Sequence, residues 1–422
     1  MSKIRLSMMD SAFLLAETRD NPMHVGGVNL YTLPQGVDCK PFLNSLSKQL
    51  KSAEMLQPIF ENTLKTSKFG ALRPMYFEPD AAVDLDYHIR HSALPHEGSY
   101  RELFTLVSRL HSTLLDRKRP LWEMYLIEGV GQRQFATYTK YHHAAIDGTK
   151  GIHLGQSMLS SDPNAMSTLS PLSIESMNRY RGTLLSGRAE ASENSVNSVF
   201  DRLKEQYRIG SSALSTVRQF SEAAFQPRGA LSLPWMHVPR SPINTPIEGA
   251  RRFVAQSWAF GRFRAIAKAL DGTFNDAVLA VCSGALRRFL LRQEGLPDTS
   301  LKAAVPVSLR KPDDLDSANA VGVITADLAT QVKDPTKRFE MIRASMIAGK
   351  RFFDGMTAKE VEIYTQITQL PGMFLRPLGL IPRFPPFNIV ISNVPGPAGP
   401  MYWNGAQLEG VFLLRLSPRA LL

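Results

Sequence analysis

At 422 residues the chain is long for one hydrophobic core, so two domains are expected. Its 44% hydrophobic and 21% charged residues describe an ordinary soluble globular protein, and no run approaches the roughly 18 apolar residues that a membrane-spanning helix needs. A formal charge of +11 favours anionic partners; without aromatic-interleaved basic motifs or zinc-finger spacing, nucleic acid gives way to a lipid surface or coenzyme A.

Met1-Ser2-Lys3-Ile4-Arg5 is not followed by a long apolar leader, so a cytoplasmic location is expected. Asn21-Pro22 reads as a turn before a largely apolar strand, His24 to Leu30, with His24 a packed or turn histidine. Pro41 to Leu50 places Phe42, Leu43, Leu46 and Leu50 on one helical face. Asp84 to His88 is short and alternating and reads as a strand; His88, His91 and His96 lack ligand spacing and are expected to be solvated. Ser99 with Glu102 forms a capping box ahead of a helix carrying Leu103, Leu106, Val107, Leu110 and Leu114 and ending near Asp116. The basic run Arg117-Lys118-Arg119 precedes Pro120-Leu121-Trp122, whose tryptophan reads as core.

Gln134 to Lys140 is rich in aromatic and β-branched residues, a strand delivering Tyr141-His142-His143-Ala144-Ala145-Ile146-Asp147-Gly148 to an Asp-Gly turn, after which Ile152, Gly155, Met158 and Leu159 carry a short helix. Neighbouring side chains on a strand point to opposite faces, so both histidines face one cleft only if the chain has already left the strand. Imidazole suits taking and returning a proton near neutral pH, which makes one histidine a candidate base and the other its support. Asp147 either orients a histidine or braces the turn, and bracing fits an Asp just before Gly better. A buried pair satisfied by backbone carbonyls is the other reading; metal ligation lacks the remaining spaced ligands.

Between about Ser160 and Ala230 the apolar pattern weakens and polar residues accumulate, as in a connector. Within it Val199, Phe200, Leu203 and Tyr207, with Arg202, Lys204 and Arg208 beside them, suit either a solvated linker helix or a basic amphipathic one. After Pro242 a second domain is expected, with a strand from Phe253 to Trp258 and helices Phe263 to Leu270 and Asn275 to Leu291. Thr273 and Asp276 have the spacing of a second capping box, which accounts for Asp276; Asn275 beside it is a candidate donor to an oxyanion or substrate carbonyl. Lys302 to Val307 and Val321 to Leu328 read as strands, Arg338 to Lys350 as a helix, and Cys282 as core. Met373 to Phe387 is broken by Pro and Arg but apolar enough to pack on the core, lie on lipid or line a tunnel.

His142-His143-Ala144-Ala145-Ile146-Asp147-Gly148 matches the HHxxxDG signature of coenzyme-A-dependent acyltransferases. With Asn21-Pro22-Met23-His24-Val25-Gly26, Arg119-Pro120-Leu121-Trp122-Glu123, Asn275-Asp276 and Ser392-Asn393-Val394-Pro395-Gly396-Pro397, the chain resembles the bacterial wax ester synthase/acyl-CoA:diacylglycerol acyltransferase family over most of its length. The resemblance implies an α/β fold of two chloramphenicol-acetyltransferase-like domains with mixed sheets, flanking helices and an active site at the domain interface. The expected division is 1–160 for the histidine domain, 161–240 for the connector and 241–422 for the second domain. It also implies a site of His143 as base with His142, Asp147, Gly148, Asn275 and Asp276, and Arg310 as partner of Asp147. The expected substrates are acyl-CoA, a co-substrate rather than a bound cofactor, and diacylglycerol or a fatty alcohol, with peripheral contact to a membrane or lipid droplet. No Gly-x-Ser-x-Gly elbow is present, so direct attack is expected rather than an acyl-enzyme. The rivals are another acyltransferase of the superfamily, with a different acceptor or a carrier-bound donor, and a non-catalytic lipid-binding protein. After Glu409-Gly410-Val411-Phe412 the sequence leaves the pattern of the related chains, so the second domain is expected to be cut short.

Overall fold

Among the described residues the strands are β1 (Ile4–Arg5), β2 (His24–Thr32), β3 (Asn62–Lys65), β4 (Tyr76–Pro79), β5 (Ile89–Gly98), β6 (Trp122–Val130), β7 (Gln134–His142), β8 (Lys302–Ser308), β9 (Val321–Asp327), β10 (Ile389–Val390), β11 (Tyr402–Trp403) and β12 (Ala406–Leu414). The structure, a computed structural model, describes residues 3–6, 8–66, 75–146, 148–189, 230–245, 248–308, 321–354, 360–361, 383–394, 396–397 and 399–414, together with 356, 364, 368, 371 and 372. The chain forms two units: Met1–Asn194 with Ile247–Gln256 and Gly396–Leu421, and Ser195–Pro246 with Ser257–Pro395.

The first unit is built on a six-stranded mixed sheet in the order β11-β12-β2-β7-β6-β5, antiparallel except for the β5–β6 pair. Alternation along β7 divides its side chains between two apolar layers. Phe135 and Tyr141 join Tyr31, Trp122 and Leu126 beneath the helix Cys39–Lys51, which contributes Leu43, Leu46 and Leu50. Ala136 and Tyr138 join Val28, Tyr125 and Ile127 beneath the helix Tyr100–Ser112, which contributes Leu103 and Val107. That helix starts at the expected capping box, where Glu102 Oε2 accepts the Ser99 N–H at 2.6 Å. A small antiparallel sheet, β1-β4-β3, accompanies it in the same unit.

In the second unit β10-β8-β9 form a mixed sheet, parallel between β10 and β8 and antiparallel between β8 and β9. Helices Phe274–Arg292 and Pro335–Phe353 bury Leu279, Leu290, Ile342 and Met346 against Ala303, Val305 and Ile324. Cys282 packs at the margin of this core, half-buried.

Several expectations are corrected. Strand β12 pairs with β2 from Gln407↔Thr32 to Leu414↔Gly26, so the end of the stretch assigned to 241–422 lies in the first unit's sheet. The segment Phe253 to Trp258 is no strand: the Arg251 and Phe253 amides donate to the Ser112 and Ser108 hydroxyls at 2.8 Å, and Ile247–Gln256 groups with the first unit. Leu85–His88 is a single helical turn because the Asp84 carboxylate accepts the Tyr87 amide, and the strand begins only at Ile89. His88 is buried rather than solvated: Nδ1 meets Trp122 O at 2.7 Å, its ring stacks on Trp122 at 4.5 Å, and burial pushes its pKa below 6.5. The expected basic helix near Val199 and most of Met373 to Phe387 lie outside the described residues.

Candidate active site

Strand β7 delivers the histidine pair to the end of the sheet. His142 is its last residue, opposite His24 of β2, and donates its N–H to Leu121 O at 3.0 Å. One residue later the chain has left the ladder: the His143 N–H donates to Met23 O at 2.8 Å and Ala145 N–H to His142 O at 2.9 Å. Three segments far apart in sequence, Met23-His24, Leu121-Trp122 and His142-His143, are thus joined by backbone bonds at one edge.

The two imidazoles diverge there. His142 is wholly buried and its Nδ1 accepts the Ala144 N–H at 3.0 Å, which puts the proton of the neutral ring on Nε2. Nε2 stands 3.4 Å from Glu17 Oε1, close enough for attraction but not aligned as a hydrogen bond. Glu17 itself is buried at its side chain, accepts the Met23 N–H at 3.1 Å, and takes the Arg117 guanidinium at 3.0 Å. Burial alone would push this carboxyl up; His142, the Met23 amide and Arg117 outweigh it and hold the pKa at about 2. His143 is half-buried, and its ring packs against Phe13 with centroids 4.3 Å apart and planes inclined by 31°. Ala144 and Ala145 anchor the turn in an apolar cluster with Leu14, Leu115 and Leu121.

Polar groups continue from His142 under the helix Tyr100–Ser112. His24 Nε2 donates to His111 O at 2.7 Å, and burial, reinforced by His111 and Lys140, drives its pKa well below 6.5. The His111 ring lies 2.8 Å from the Tyr138 hydroxyl through Nδ1. Gly26 permits this approach, since a Cβ there would stand 2.8 Å from Thr139 O and 3.1 Å from the Tyr138 ring. Lys140, fully buried, places Nζ 3.2 Å from Glu123 Oε2 and 3.0 Å from the Leu110 and Thr113 carbonyls. Glu123 also accepts the Tyr125 hydroxyl at 3.0 Å, so this interior ammonium is paired rather than isolated.

In the second unit the capping box at Thr273 forms as expected. Asp276 Oδ2 accepts the Thr273 N–H at 2.8 Å and its hydroxyl at 2.7 Å, while the Asp276 N–H donates back to Thr273 Oγ1 at 3.2 Å. Asp276 is buried and engaged by the cap; Asn275, half-exposed, lies in the same first turn of the helix Phe274–Arg292. Gly148 opens the helix Gly148–Ser157, whereas Asp147 and Arg310 lie outside the described residues. Among the described residues no group of His, Cys, Asp or Glu is placed to hold a metal ion.

Residues 6–278 match the wax ester synthase/diacylglycerol acyltransferase catalytic domain, and residues 317–420 match the C-terminal domain of the same family. The chain belongs to the wax ester synthase/diacylglycerol acyltransferase family. A probable diacylglycerol O-acyltransferase of Mycobacterium tuberculosis is 40% identical over 97% of this chain and 87% of its own length. The O-acyltransferase WSD of Acinetobacter baylyi is 37% identical over 96% and 85%. The solved wax ester synthase/diacylglycerol acyltransferase of Marinobacter aquaeolei superposes with a TM-score of 0.72 at 34% identity, covering 98% of this chain and 87% of that one. A condensation domain of the CDA synthetase, 18% identical with a TM-score of 0.54, shares the fold. The protein is therefore an acyltransferase of this family, with the α/β mixed-sheet fold and flanking helices that the family resemblance implies.

Sequence reasoning missed Glu17 and Phe13, which touch His142 and His143 respectively. The available signal was an acidic residue closing the otherwise apolar run Ala12 to Ala16. A buried Glu needs a partner, and an Arg or His elsewhere in the chain is where to look for one.

Proposed function

We propose that His143 is the general base of an O-acyl transfer from acyl-CoA to diacylglycerol or a long-chain alcohol. The observation that carries this is the division of labour in the pair: His142 is buried and committed to the Ala144 amide and Glu17, while His143 sits beyond the last ladder residue and half-exposed. His143 takes the hydroxyl proton as the alcohol oxygen attacks the thioester carbonyl. The tetrahedral species then collapses, the carbon–sulfur bond breaks, and the departing thiolate receives that proton, leaving an ester and free coenzyme A. For the second unit we propose a supporting part in the reaction, Asn275 as an amide donor and Asp276 through its cap. His142 and Glu17 hold the turn that presents His143.

Labelled palmitoyl-CoA supplied with dipalmitoylglycerol, with hexadecanol or with no acceptor tests the assignment. Ester is expected with either acceptor and its formation is expected to fall about 10²–10⁴-fold in His143→Ala; a variant with near wild-type turnover, chemistry being rate-limiting, refutes it. We further propose peripheral contact with a membrane or lipid droplet. No helix among the described residues is long and apolar enough to cross a membrane, and the +11 charge favours anionic headgroups. Vesicle binding is expected to rise with anionic lipid and fall with salt, because surface charges act within a Debye length of roughly 8 Å at physiological ionic strength. Salt-independent binding to neutral vesicles overturns the electrostatic part.

A further inference from the structure

We propose that Phe13 is a specificity-determining residue for the acceptor alcohol, favouring a slim linear alcohol over diacylglycerol; this rests on His143 being the base. One short segment addresses both histidines, since the helix Met8–Ala16 sets Phe13 on the His143 ring and Glu17 follows it to face His142. The Phe13 ring lies against the face of the imidazole, and a nitrogen takes a proton in the plane of the ring. Phe13 therefore fixes the orientation of His143 without lying across the proton's path.

The surroundings say what the rest of Phe13 does. Behind it Met23 is wholly buried, with Ala16 and Val25 packed alongside. Across the turn Ala144 and Ala145 are held by Leu14, Leu115 and Leu121. Phe13 and His143 are both only partly buried and their rings are in contact, so in this proposal Phe13 forms one edge of the approach to the base. Whatever alcohol brings its oxygen to His143 brings its first carbons to that edge. A linear alcohol brings a methylene chain there, whereas diacylglycerol brings a bulkier glycerol unit with two ester arms that must pass the ring.

The test compares kcat/KM of the full chain for dipalmitoylglycerol and for 1-hexadecanol in one detergent, with palmitoyl-CoA as donor. Wild type, Phe13→Leu, Phe13→Ala and His143→Ala are measured, with Tm for each. The diacylglycerol-to-hexadecanol ratio is expected to rise about tenfold in Phe13→Ala and by less in Phe13→Leu, the scale of size discrimination in an apolar pocket. A ratio within twofold of wild type in a folded variant overturns the proposal, as does an equal loss on both acceptors with a lowered Tm, which is packing alone. If His143→Ala is inactive while the ratio does not move, only the role of Phe13 falls. If His143→Ala keeps its turnover, the base assignment and this inference fall together.

Discussion

The histidine turn of the first unit and the Asn275-Asp276 turn of the second both stand where a regular element meets a loop, yet they are held in opposite ways. Asp276 is fixed by Thr273, three residues away, through three hydrogen bonds that the local sequence alone dictates. The His142-His143 turn is held by Met23, Leu121, Glu17 and, through Glu17, Arg117, partners drawn from over a hundred residues of chain. A locally built turn tolerates change around it; a turn assembled from distant segments fails when any of them moves. The comparison therefore predicts separable losses of chemistry and of stability at the two places.

The largest effect is expected at His143. His143→Ala should cost about 10²–10⁴-fold in turnover with little change in Tm, the contribution of a positioned base. His142→Gln should lower both, because it breaks the contact with Glu17. Asn275→Ala follows, with a loss of about 10²–10³-fold in turnover, the scale of a lost oxyanion donor; unchanged turnover reduces the pair to a helix cap.

Next comes Glu17, whose carboxyl falls from its ordinary 4.5 to about 2 in the folded protein, equivalent to about 3 kcal/mol. A depressed carboxyl gives stability that is present above pH 4.5 and lost as pH falls from there towards 2. His24, depressed below 6.5 by burial, likewise stabilises above pH 6.5 and less below it, as the unfolded chain takes up a proton first. Tm is thus expected to decline below pH 6.5 and more steeply below 4.5. Glu17→Gln should lower Tm at pH 7 and flatten only the second decline; a variant that tracks wild type at both would show that the Glu17 interactions carry no net stability. The smallest effect is expected at Asp276→Asn, where losing part of a cap costs roughly 0.5–2 kcal/mol and leaves turnover near wild type. A turnover loss as large as that of Asn275→Ala would mean Asp276 serves the chemistry directly.

This contrast also marks what the sequence could and could not say. Both capping boxes, the strand carrying the histidines and the two helices around Asn275 were legible, because each is set by spacing within a few residues. His88 was misread as solvated since its partners, Trp122 O and the Trp122 ring, arrive from a strand more than thirty residues on. Phe253 to Trp258 has the composition of a strand, but serine hydroxyls of the helix Tyr100–Ser112 take the Phe253 amide and that of Arg251 nearby. At the candidate site the residues alone leave the two roles open, and the family resemblance implies His143 as the base. In the folded chain the Ala144 amide and Glu17, which fix the tautomer of the buried His142, set that ring apart from the half-buried His143.

The pairing of β12 with β2 carries a consequence for biosynthesis. More than 370 residues separate Thr32 from Ala406, and the second unit is spelled out between them. At 5–20 residues per second a ribosome needs roughly 20 to 75 s to cross that interval. Once β7 has been made within that interval, β2 can engage it on one side only, its other row of amides and carbonyls lacking the strand that will cover them. The first unit to emerge is therefore the one that must wait, and its nascent sheet depends on chaperone cover or on slow closure of a very long loop.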